Sequence, residues 1–382
     1  MTRYFATCAH GLEETLADEL RGENIRARNI KPGSSGVHFS GRMETGYRAN
    51  LWLRSAIRVL AELGRAPVQG PDDLYEWARS LTWEDFMSVD QTLSVDARTW
   101  DSTIKHSRYA ALRVKDALCD RFRELKGRRP DVDPVAADLP LSLYIFKNQA
   151  TMYRDLSGQT LHKRGYRKAM HRSSLNESLA AGMVLLSGWN RTSDLVDPMC
   201  GSGTIAIEAA LIAMNRAPGL LRKIAFPFER WPGFNRKLWG ELRTEARDRA
   251  LGEPPCRIMA GDHHAGAISL AHQDVSRARV DTMISITAAD VEQYAPPATP
   301  AVVLTNPPWG ERLVEEAEAS WRKLGRFLKN RCGGASAWVL SGNPELTRFL
   351  GLKASRRHPL RIGQHDCRMI RYDIRKRDGD AG

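Results

Sequence analysis

The sequence predicts an α/β protein in two parts, an α+β N-terminal half followed by a parallel sheet flanked by helices. The first half mixes short strand-like and helical patterns without a repeating order. From about Leu195 onward, apolar strand-like runs alternate with helical ones, which is typical of βα units. A polar and strongly basic stretch, SGQTLHKRGYRK (157–168), separates the two parts.

The N-terminal half contains recognisable individual elements. GLEETLADEL, near the start, predicts an early helix, and TLSVDAR (92–98) alternates apolar and polar residues as a half-buried strand does. The segment 101–122 predicts a helix whose apolar residues share one face: Ala111, Val114, Leu118 and Phe122. LSLYIF (141–146) and ATMYRDL (150–156), joined by a short turn, predict a hairpin.

Five apolar runs predict the strands of the parallel sheet. They are DLVD (194–197), CRIMAGD (256–262), TMISITAAD (282–290), AVVLTN (301–306) and SAWVLS (336–341). The segment LRIGQHDCRMIRYDI (360–374) predicts a closing antiparallel hairpin. Ligands of such sheets bind outside the carboxyl ends of the strands, so we expect the functional side chains there.

Composition narrows the class of protein. With 382 residues, 42% hydrophobic and 27% charged, the chain has room for more than one core. The net charge of +12 modestly favours a nucleic-acid partner, although an arginine-rich proteome would give the same excess. Six cysteines without a CxxC pair predict reduced thiols in a cytosolic protein and no zinc cluster. We expect no membrane span and no signal peptide.

The stretch DLVDPMCGSGTIAIEAALIAM (194–214) predicts a strand, a glycine turn and a helix. Gly201 and Gly203 permit a tight turn and the close approach of a ligand. Asp197 and Pro198 precede the loop, and a carboxylate there would repel a pyrophosphate. It suits a ligand with an ammonium group, such as the methionine part of S-adenosylmethionine. A dinucleotide fold also expects an acid about 20 residues further on, and the next strand-ending acid is much more distant.

Two acids end the next two predicted strands. Asp262 could accept both ribose hydroxyls of a nucleoside. Asp290 could accept an adenine amino group. The alternative is that both carboxylates only cap helices.

The stretch LTNPPWGERL (304–313) ends the fourth predicted strand. The side-chain oxygen of Asn306 and the carbonyl of Pro307, held by rigid φ angles, offer two acceptors to one amino group. Acceptors that bend both N–H bonds out of line favour a nitrogen with a free lone pair, able to attack a sulfonium methyl. Trp309 offers a flat face for a stacked base. The alternative is a strand-ending turn with a core tryptophan.

These motifs resemble those of a known family. They are ATCAHGLEETLADEL near the start, SRYAALRVKDA (107–117), LHKRGYR (161–167), DPMCGSGTIAIEAA (197–210), RAPGL (216–220) and NPPWGERL (306–313). The chain is similar over nearly its whole length to the THUMP-domain N2-guanosine RNA methyltransferases, most of all to the guanine-N2 module of the bacterial 23S rRNA enzymes. One departure is Trp309, where relatives often carry Tyr.

The resemblance implies a ferredoxin-like segment (1–53), a THUMP RNA-binding domain (54–156) and a class I Rossmann-like methyltransferase domain (157–376) using S-adenosylmethionine. It implies cofactor contacts by Asp197, Pro198, Gly201, Gly203, Asp262 and Asp290. It places the target guanine at Asn306, Pro307 and Trp309. The basic run before the sheet is expected to contact RNA phosphates, or to be a solvated linker: Lys163, Arg164, Tyr166, Arg167, Lys168 and Arg172.

The expected reaction is methyl transfer to the exocyclic N2 of a guanosine in structured RNA, with 23S rRNA preferred and tRNA as the alternative. Because the motif fits any planar amine, an adenine amine or a glutamine amide stays open. A rival of another class is an RNA-binding protein with an inactive methyltransferase fold. Family members can carry a second methyltransferase domain, and a single modification is expected from this chain. No metal site and no oligomeric state are predicted.

Overall fold

The computed structural model describes residues 1–167, 175–296, 299–310 and 314–376. Within these residues the two halves of the chain form two seven-stranded sheets. The strands of the N-terminal sheet are β1 (Thr2–Thr7), β2 (Arg28–Gly33), β3 (Gly36–Gly41), β4 (Arg58–Pro67), β5 (Leu93–Trp100), β6 (Leu139–Phe146) and β7 (Gln149–Asp155). The predicted strand at 92–98 and the predicted hairpin at 141–156 are thereby confirmed.

The N-terminal sheet has the order β2-β3-β1-β4-β7-β6-β5. Its pairs are antiparallel except for β5 and β6, which run parallel. The expected boundary after residue 53 falls just before β4. Because β4 pairs with β1 on one side and with β7 on the other, the segments on both sides of that boundary share one continuous sheet.

Four helices cover one face of this sheet. They are α1 (Glu13–Arg21), α2 (Met43–Trp52), α3 (Pro71–Ser80) and α4 (Ser107–Lys126). Their side of the sheet carries buried residues such as Tyr4 and Ala6, and Gly46 of α2 lies directly against the Tyr4 ring. Helix α4 begins later than predicted, because residues 101–106 form a turn in which Asp101 has a φ of 48°.

The C-terminal sheet is mostly parallel. Its strands are β8 (Leu195–Asp197), β9 (Ile258–Asp262), β10 (Ile284–Ala288), β11 (Val302–Thr305), β12 (Ser336–Ser341), β13 (Arg356–Ile362) and β14 (His365–Asp373). They lie in the order β10-β9-β8-β11-β12-β14-β13. Strands β8 to β12 pair in parallel, while β14 pairs antiparallel with both β12 and β13. The predicted parallel sheet and its closing hairpin are confirmed.

The described part of the C-terminal half contains five α-helices. They are α5 (Glu177–Leu186), α6 (Thr204–Ala213), α7 (Arg236–Asp248), α8 (Ala265–Ala278) and α9 (Val314–Arg331). The α5 N-terminus is capped by the Asn176 side chain, which accepts from the Leu179 N–H at 2.8 Å. Every residue of α6 is buried, so the glycine turn that precedes this helix is held at a fixed place in the core.

Residues 217–255 join the two halves. Phe228 of this insertion packs on Tyr47 of α2 with ring centroids 4.5 Å apart. Arg48, which is only 4% exposed, pairs with Glu245 of α7 at 2.6 Å. The Trp231 indole N–H donates to the Asp138 carbonyl at 2.8 Å. The insertion therefore fastens the N-terminal half to the C-terminal half.

A second junction lies beside the C-terminal hairpin. The Arg361 N–H donates to the His10 carbonyl at 3.0 Å. Gly11 has a φ of 94°, and a Cβ there would lie 2.2 Å from the Pro359 carbonyl oxygen, so only glycine fits this contact. In the described part of the chain, no helix has both the length and the apolarity needed to cross a membrane.

Candidate active site

The predicted functional residues converge at one edge of the C-terminal sheet. Strands β9, β8 and β11 are neighbours and parallel, so Asp262, Asp197 and Asn306 all follow carboxyl ends at the same edge. From β8 the strand order runs through β9 to β10 on one side, and β11 and β12 lie on the other side. The order reverses between β8 and β11, which is where sheets of this kind bind their ligands. The sheet thus brings the glycine loop and the NPPW loop together, as the sequence predicted.

Asp197 ends β8 as a buried carboxyl, only 1% exposed. The Thr305 hydroxyl donates to its Oδ1 at 2.8 Å, and the Met199 N–H donates to the same oxygen at 3.3 Å. Burial raises the pKa of Asp197 to about 7, with a further contribution from the charge of Asp262. Among the described residues no side-chain cation pairs with Asp197. This donor set leaves Oδ2 for a ligand cation, which fits an ammonium group.

The glycine loop (Cys200–Gly203) turns sharply after Asp197. Gly201 and Gly203 have φ values of 55° and 78°, which L side chains rarely adopt. A Cβ at Gly201 would meet nothing within 4 Å, so the space beside it is open to a ligand. A Cβ at Gly203 would lie 3.3 Å from the Cβ of Ala271, so this glycine also lets α6 and α8 pack closely. Pro198 is buried next to Asp197.

Asp262 lies at the end of β9 and connects the glycine loop to α8. Its Oδ2 accepts from the Gly201 N–H at 2.9 Å, and its Oδ1 accepts from the His264 N–H at 2.9 Å. The carboxylate therefore fixes the loop and the start of α8. Two carboxylate oxygens carry about four lone-pair sites, so capacity for hydroxyl donors is left over. The ribose contact of Asp262 stays a prediction.

Asp290 follows β10 and already has a cationic partner. Its Oδ2 lies 2.7 Å from Lys323 Nζ of α9, and its Oδ1 accepts from the Glu292 N–H at 3.0 Å. Burial alone would raise the pKa of this carboxyl, but the Lys323 ammonium and the Glu292 N–H outweigh burial and lower the pKa below its ordinary value. The side chain acts at least as a tie between this loop and α9. Its adenine contact stays a prediction.

The NPPW loop leaves two polar side-chain atoms without partners. Asn306 Oδ1 and Trp309 Nε1 are both buried and have no hydrogen-bond partner within the described ranges. A buried acceptor without a hydrogen-bond partner costs about 1–3 kcal/mol of free energy, which a ligand that donates to it would recover. Pro307 is buried, and the direction of its carbonyl toward a ligand stays a prediction. The loop therefore offers an acceptor and a donor that a planar, hydrogen-bonding ligand could satisfy.

The backbone of the NPPW loop is fastened from outside the motif. The indole N–H of Trp321, a fully buried residue of α9, donates to the Pro308 carbonyl at 2.8 Å. The Asn343 side chain donates to the Trp309 carbonyl at 3.4 Å. These contacts hold the loop in place while leaving Asn306 unsatisfied.

The ring of Trp309 lies between Gly342, which follows β12, and His365, the first residue of β14. A Cβ at Gly342 would lie 2.4 Å from Trp309 Cε3, so the indole packs directly on this glycine. The His365 ring lies 6.3 Å from the indole at an interplanar angle of 63°. Sequence reasoning missed this group: Thr305, Trp321, Gly342, Asn343 and His365. Gly342 and Asn343 could have been found, because they follow a strand adjacent to β11.

The basic run before the sheet is largely internal, which corrects the expected RNA contacts. Arg164 and Tyr166 are each 1% exposed. The Tyr166 hydroxyl donates to Glu208 at 3.1 Å, and Arg164 lies 3.5 Å from the same carboxylate. Because a buried guanidinium cannot reach a phosphate, these side chains serve the core. Lys163 is exposed, and Lys168 and Arg172 lie outside the described residues.

The side chain of Arg167 is only 5% exposed and lies beside the glycine loop. It donates to the Leu175 carbonyl at 2.8 Å and to the Ser202 hydroxyl at 3.1 Å, and it also contacts the Thr204 hydroxyl. Two carboxylates, Glu177 and Asp274, lie 3.9 Å away. Arg167 thus ties the linker between the two halves to the start of α6, rather than presenting its charge to RNA.

The side chains of the described residues were expected to form no metal site. The described ranges hold no group of three or more His, Cys, Asp or Glu side chains placed to bind an ion. The adjacent His263 and His264 do not form one, because the His264 ring instead accepts from the Ala267 N–H at 3.2 Å and caps α8.

Family models match three successive parts of the chain. Residues 3–60 match the RlmL ferredoxin-like domain, residues 70–155 the THUMP domain, and residues 164–371 the RMKL-like methyltransferase domain. Proteins named ribosomal RNA large subunit methyltransferase K/L are also similar. That of Syntrophotalea carbinolica is 41% identical over 97% of this chain and 53% of its own length. That of Methylococcus capsulatus is 39% identical over 98% of this chain and 52% of its own length. The chain spans about half the length of these curated relatives.

Solved structures share the whole fold. A protein from Listeria monocytogenes, named as a predicted N6-adenine-specific DNA methylase, is 32% identical with a TM-score of 0.87, covering 98% of this chain and 96% of its own. SMU.472, named as a methyltransferase and crystallised with SAH, is 26% identical with a TM-score of 0.88, covering 98% and 99%. The family models confirm the ferredoxin-like and THUMP region, and together with these neighbours they confirm the Rossmann-like methyltransferase sheet. The chain belongs to the RMKL-like methyltransferase family.

Proposed function

We propose that this protein transfers a methyl group from S-adenosylmethionine to the exocyclic N2 of a guanosine in structured RNA, with 23S rRNA as the substrate. One observation carries the proposal most directly. Asn306 Oδ1 is a buried acceptor without a partner in the described chain, at the same sheet edge as Asp197. The similarity to two ribosomal RNA large subunit methyltransferases supports the choice of rRNA.

The cofactor half of the site would use the residues around the glycine loop. The Oδ2 atom of Asp197 would pair with the ammonium of the amino-acid part, and the open side of Gly201 would admit the ligand to the backbone. Pro198 and Gly203 shape this turn. Asp262 would accept from the ribose and Asp290 from the adenine, each beside the contacts it already makes.

The target half would use the NPPW loop. Bound S-adenosylmethionine supplies an electrophilic methyl group. Asn306 Oδ1 and the Pro307 carbonyl would each accept an N–H of the target amine, which orients its lone pair toward that methyl. Trp309 would stack on the base after it has left its helix. No strong base is needed before attack, because the methylated amine is positively charged and acidic and releases its proton afterwards.

RNA recognition is assigned to the N-terminal half and to the exposed part of the linker. We place the ferredoxin-like segment at 1–53, the THUMP domain at 54–156 and the methyltransferase domain at 157–376. Of the linker cations, Lys163 is exposed for a phosphate, and Lys168 and Arg172 belong to the same proposal. An rRNA substrate places the protein in the cytoplasm.

A second candidate is methylation of an adenine amine. The Listeria monocytogenes relative is named for N6-adenine specificity, and a pair of acceptors fits either amine.

The experiment that tests both candidates is methyl transfer from labelled S-adenosylmethionine to 23S rRNA and to bulk tRNA, both from cells lacking this protein. Nucleoside digestion then identifies the product.

We expect labelled N2-methylguanosine from the rRNA alone. The same product from tRNA would keep the mechanism and move the substrate. Labelled N6-methyladenosine would replace the proposed base with the second candidate. Absence of label in both RNAs, with intact cofactor binding, would contradict the proposal.

A further inference from the structure

An aromatic stripe crosses the face of the N-terminal sheet that lies opposite helices α1 to α4. The strand register places these residues on one face. Phe5 is paired with His38, and Trp100 is paired with Phe146. Tyr153 is paired with Ser142, which lies two residues from Tyr144 and therefore on the same face. We call this set the aromatic face: Phe5, His38, Tyr144, Tyr153, Trp100 and Phe146. None of these six residues belongs to the glycine loop, the NPPW loop or the basic linker.

The rings form a connected series. The Phe5 and His38 rings are 4.6 Å apart, and Phe5 lies 6.4 Å from Tyr144. The Tyr144 ring is 6.1 Å from Trp100 and nearly perpendicular to it. Trp100 and Phe146 are stacked, with centroids 5.5 Å apart and 26° between the planes. The series runs from β3 to β5, the edge strand of the sheet.

The edge end of the aromatic face is open. Trp100 is 47% exposed and Phe146 is 43% exposed, although both are large apolar side chains. Cross-strand aromatic pairing explains part of this, because such pairs stabilise a sheet. It does not explain why two adjacent rings at an edge face outward, where an exposed apolar patch normally marks an interaction site.

Two exposed cations without ion-pair partners in the described chain lie at this end of the aromatic face. Arg98 is exposed and lies opposite Tyr144, and Lys147 Nζ lies 5.3 Å over the Phe146 ring. Neither cation has an acidic partner within the described residues. The exposed acids nearby are Asp96, on the same strand, and Asp101. Further along, Arg3 and Arg65 pair with Glu62 at 2.5 and 2.9 Å. Cations beside open π-surfaces suit a polyanion that carries flat bases.

The open end is also rigid. Lys147 and Asn148 form the turn between β6 and β7, and both have positive φ, 49° and 58°. The Asn148 Oδ1 accepts from the Ser102 hydroxyl at 2.8 Å and from the Thr103 N–H at 2.9 Å. The turn that follows Phe146 is thereby fastened to the turn that follows Trp100. The two rings keep their spacing without a ligand.

We propose that the aromatic face binds unpaired bases of the RNA, which stack on Trp100 and Phe146 while Arg98 and Lys147 contact the flanking phosphates. The inference rests on the proposed function and adds a second RNA site, apart from the NPPW loop. An RNA partner fits better than a protein or a membrane, because the patch pairs aromatic rings with unpaired cations on a chain of net charge +12.

The position of the aromatic face links it to the target site. Strand β1, which carries Phe5, leads into the loop whose His10 carbonyl accepts from the Arg361 N–H of β13. The same hairpin carries His365, which lies against Trp309. RNA held along the aromatic face would therefore be anchored on the body that positions the target pocket.

The test measures binding of a short fluorescein-labelled single-stranded RNA to the full chain by fluorescence anisotropy. We expect the double variant Trp100→Ala, Phe146→Ala to bind about 10-fold or more weakly, because each stacked base contributes substantially to affinity. Trp100→Phe keeps a stacking ring and should bind within about 3-fold of the unmodified protein. Arg98→Gln and Lys147→Gln should each reduce the slope of log affinity against log salt by about 1.

Two controls separate this inference from the proposed function. Tyr109→Ala removes a 48% exposed ring from α4, whose helix packs on the opposite face, and should leave RNA affinity unchanged. Binding of S-adenosylhomocysteine should be the same in all variants, which also shows that they fold. If the unmodified chain methylates RNA but the double variant keeps full RNA affinity, this inference is overturned and the function stands. If the chain self-associates through Trp100 and Phe146 instead, the face is a protein interface and the inference is again overturned.

Discussion

The glycine loop and the NPPW loop lie at the same sheet edge, yet they differ in whether their polar groups have hydrogen-bond partners in the protein. Around the glycine loop, Asp262 holds two backbone N–H groups and Arg167 holds two hydroxyls. In the NPPW loop, the Asn306 oxygen and the Trp309 indole N–H are buried without partners in the described chain. Internal hydrogen bonds stabilise the glycine loop, whereas the NPPW loop keeps hydrogen-bonding capacity that a ligand could use.

This difference is what the proposed function requires of a cofactor-binding glycine loop and a target-binding NPPW loop. A cofactor site that is preorganised by internal hydrogen bonds loses little conformational entropy when it binds. A site for a reacting amine must keep its acceptors free until the amine arrives, and it bears the free-energy cost of an unsatisfied atom. The fastening of the NPPW backbone by Trp321 offsets that cost without filling the acceptor.

The largest expected effect comes from removing the free acceptor. Asn306→Ala should lower the single-turnover rate of methyl transfer by about 100-fold or more, because the amine loses its orienting contact. Affinity for S-adenosylhomocysteine, measured by calorimetry, should stay within about 2-fold of the unmodified protein. Asn215→Ala, which removes an asparagine bonded to the Arg249 carbonyl, is the matched control and should keep the rate. Equal loss of rate and cofactor affinity would make Asn306 a structural residue.

Substitutions at Arg164 and Lys163 distinguish a buried linker cation that stabilises the fold from an exposed one that contacts RNA. Arg164→Ala leaves the fully buried Glu208 without its cation and should lower the free energy of unfolding by about 3–5 kcal/mol. Denaturant unfolding measures this. Lys163→Ala, at the exposed neighbouring position, should leave stability unchanged and reduce the salt slope of RNA binding by about 1. A large stability loss at Lys163 together with none at Arg164 would reverse the assignment.

Protonation of Asp197 should control cofactor binding. Burial raises the pKa of its carboxyl to about 7, so at lower pH the group is neutral in the free protein and must lose a proton to pair with an ammonium. Affinity for S-adenosylhomocysteine should therefore fall about 5-fold between pH 7 and pH 6, in proportion to the ionised fraction of the carboxyl. The same shift makes the neutral carboxyl's contribution to stability disappear as pH rises through about 7.

Asp197→Asn is the control for this prediction. It should bind S-adenosylhomocysteine weakly and with no change in affinity between pH 6 and pH 7, because the asparagine amide does not titrate. An unchanged pH dependence in this variant would mean that another group binds the proton.

A smaller effect is expected from a substitution at Gly342, on which the Trp309 ring packs. Gly342→Ala would place a Cβ 2.4 Å from the indole and should displace the ring, at a cost of about 1–3 kcal/mol in stability. We expect a raised KM for RNA and little change in cofactor affinity. Gly240→Ala, in α7 with nothing within 4 Å of the new methyl group, is the matched control and should stabilise slightly. Normal RNA kinetics in Gly342→Ala would show that the ring position is unimportant.

Sequence reasoning succeeded where local pattern and sheet geometry were sufficient. The alternation after Leu195 predicted a parallel sheet, and the strand-end rule then brought Asp197, Asp262 and Asn306 to one edge. These inferences need only the order of elements and the direction of parallel strands. The β6–β7 hairpin was predictable for the same reason.

Sequence reasoning failed where the partner of a residue is distant along the chain. The sequence predicted that Arg164 and Tyr166 belong to an exposed basic segment. No neighbouring residue in the sequence indicates that Glu208 of α6 lies against both side chains. The tie from Trp321 to Pro308 and the packing of Gly342 on Trp309 also depend on tertiary contacts. Charge in a sequence therefore predicts a polyanion partner only after buried ion pairs have been removed from the count.

The most direct test is a structure of the protein with S-adenosylhomocysteine and an unmethylated RNA that contains the guanosine identified as the target by the methyl-transfer experiment. We predict that the N2 of this guanosine lies about 3 Å from Asn306 Oδ1, within hydrogen-bond distance, with the base stacked on Trp309. If the target amine instead bonds to other groups while Asn306 Oδ1 keeps no partner, the proposed role of the free acceptor is contradicted.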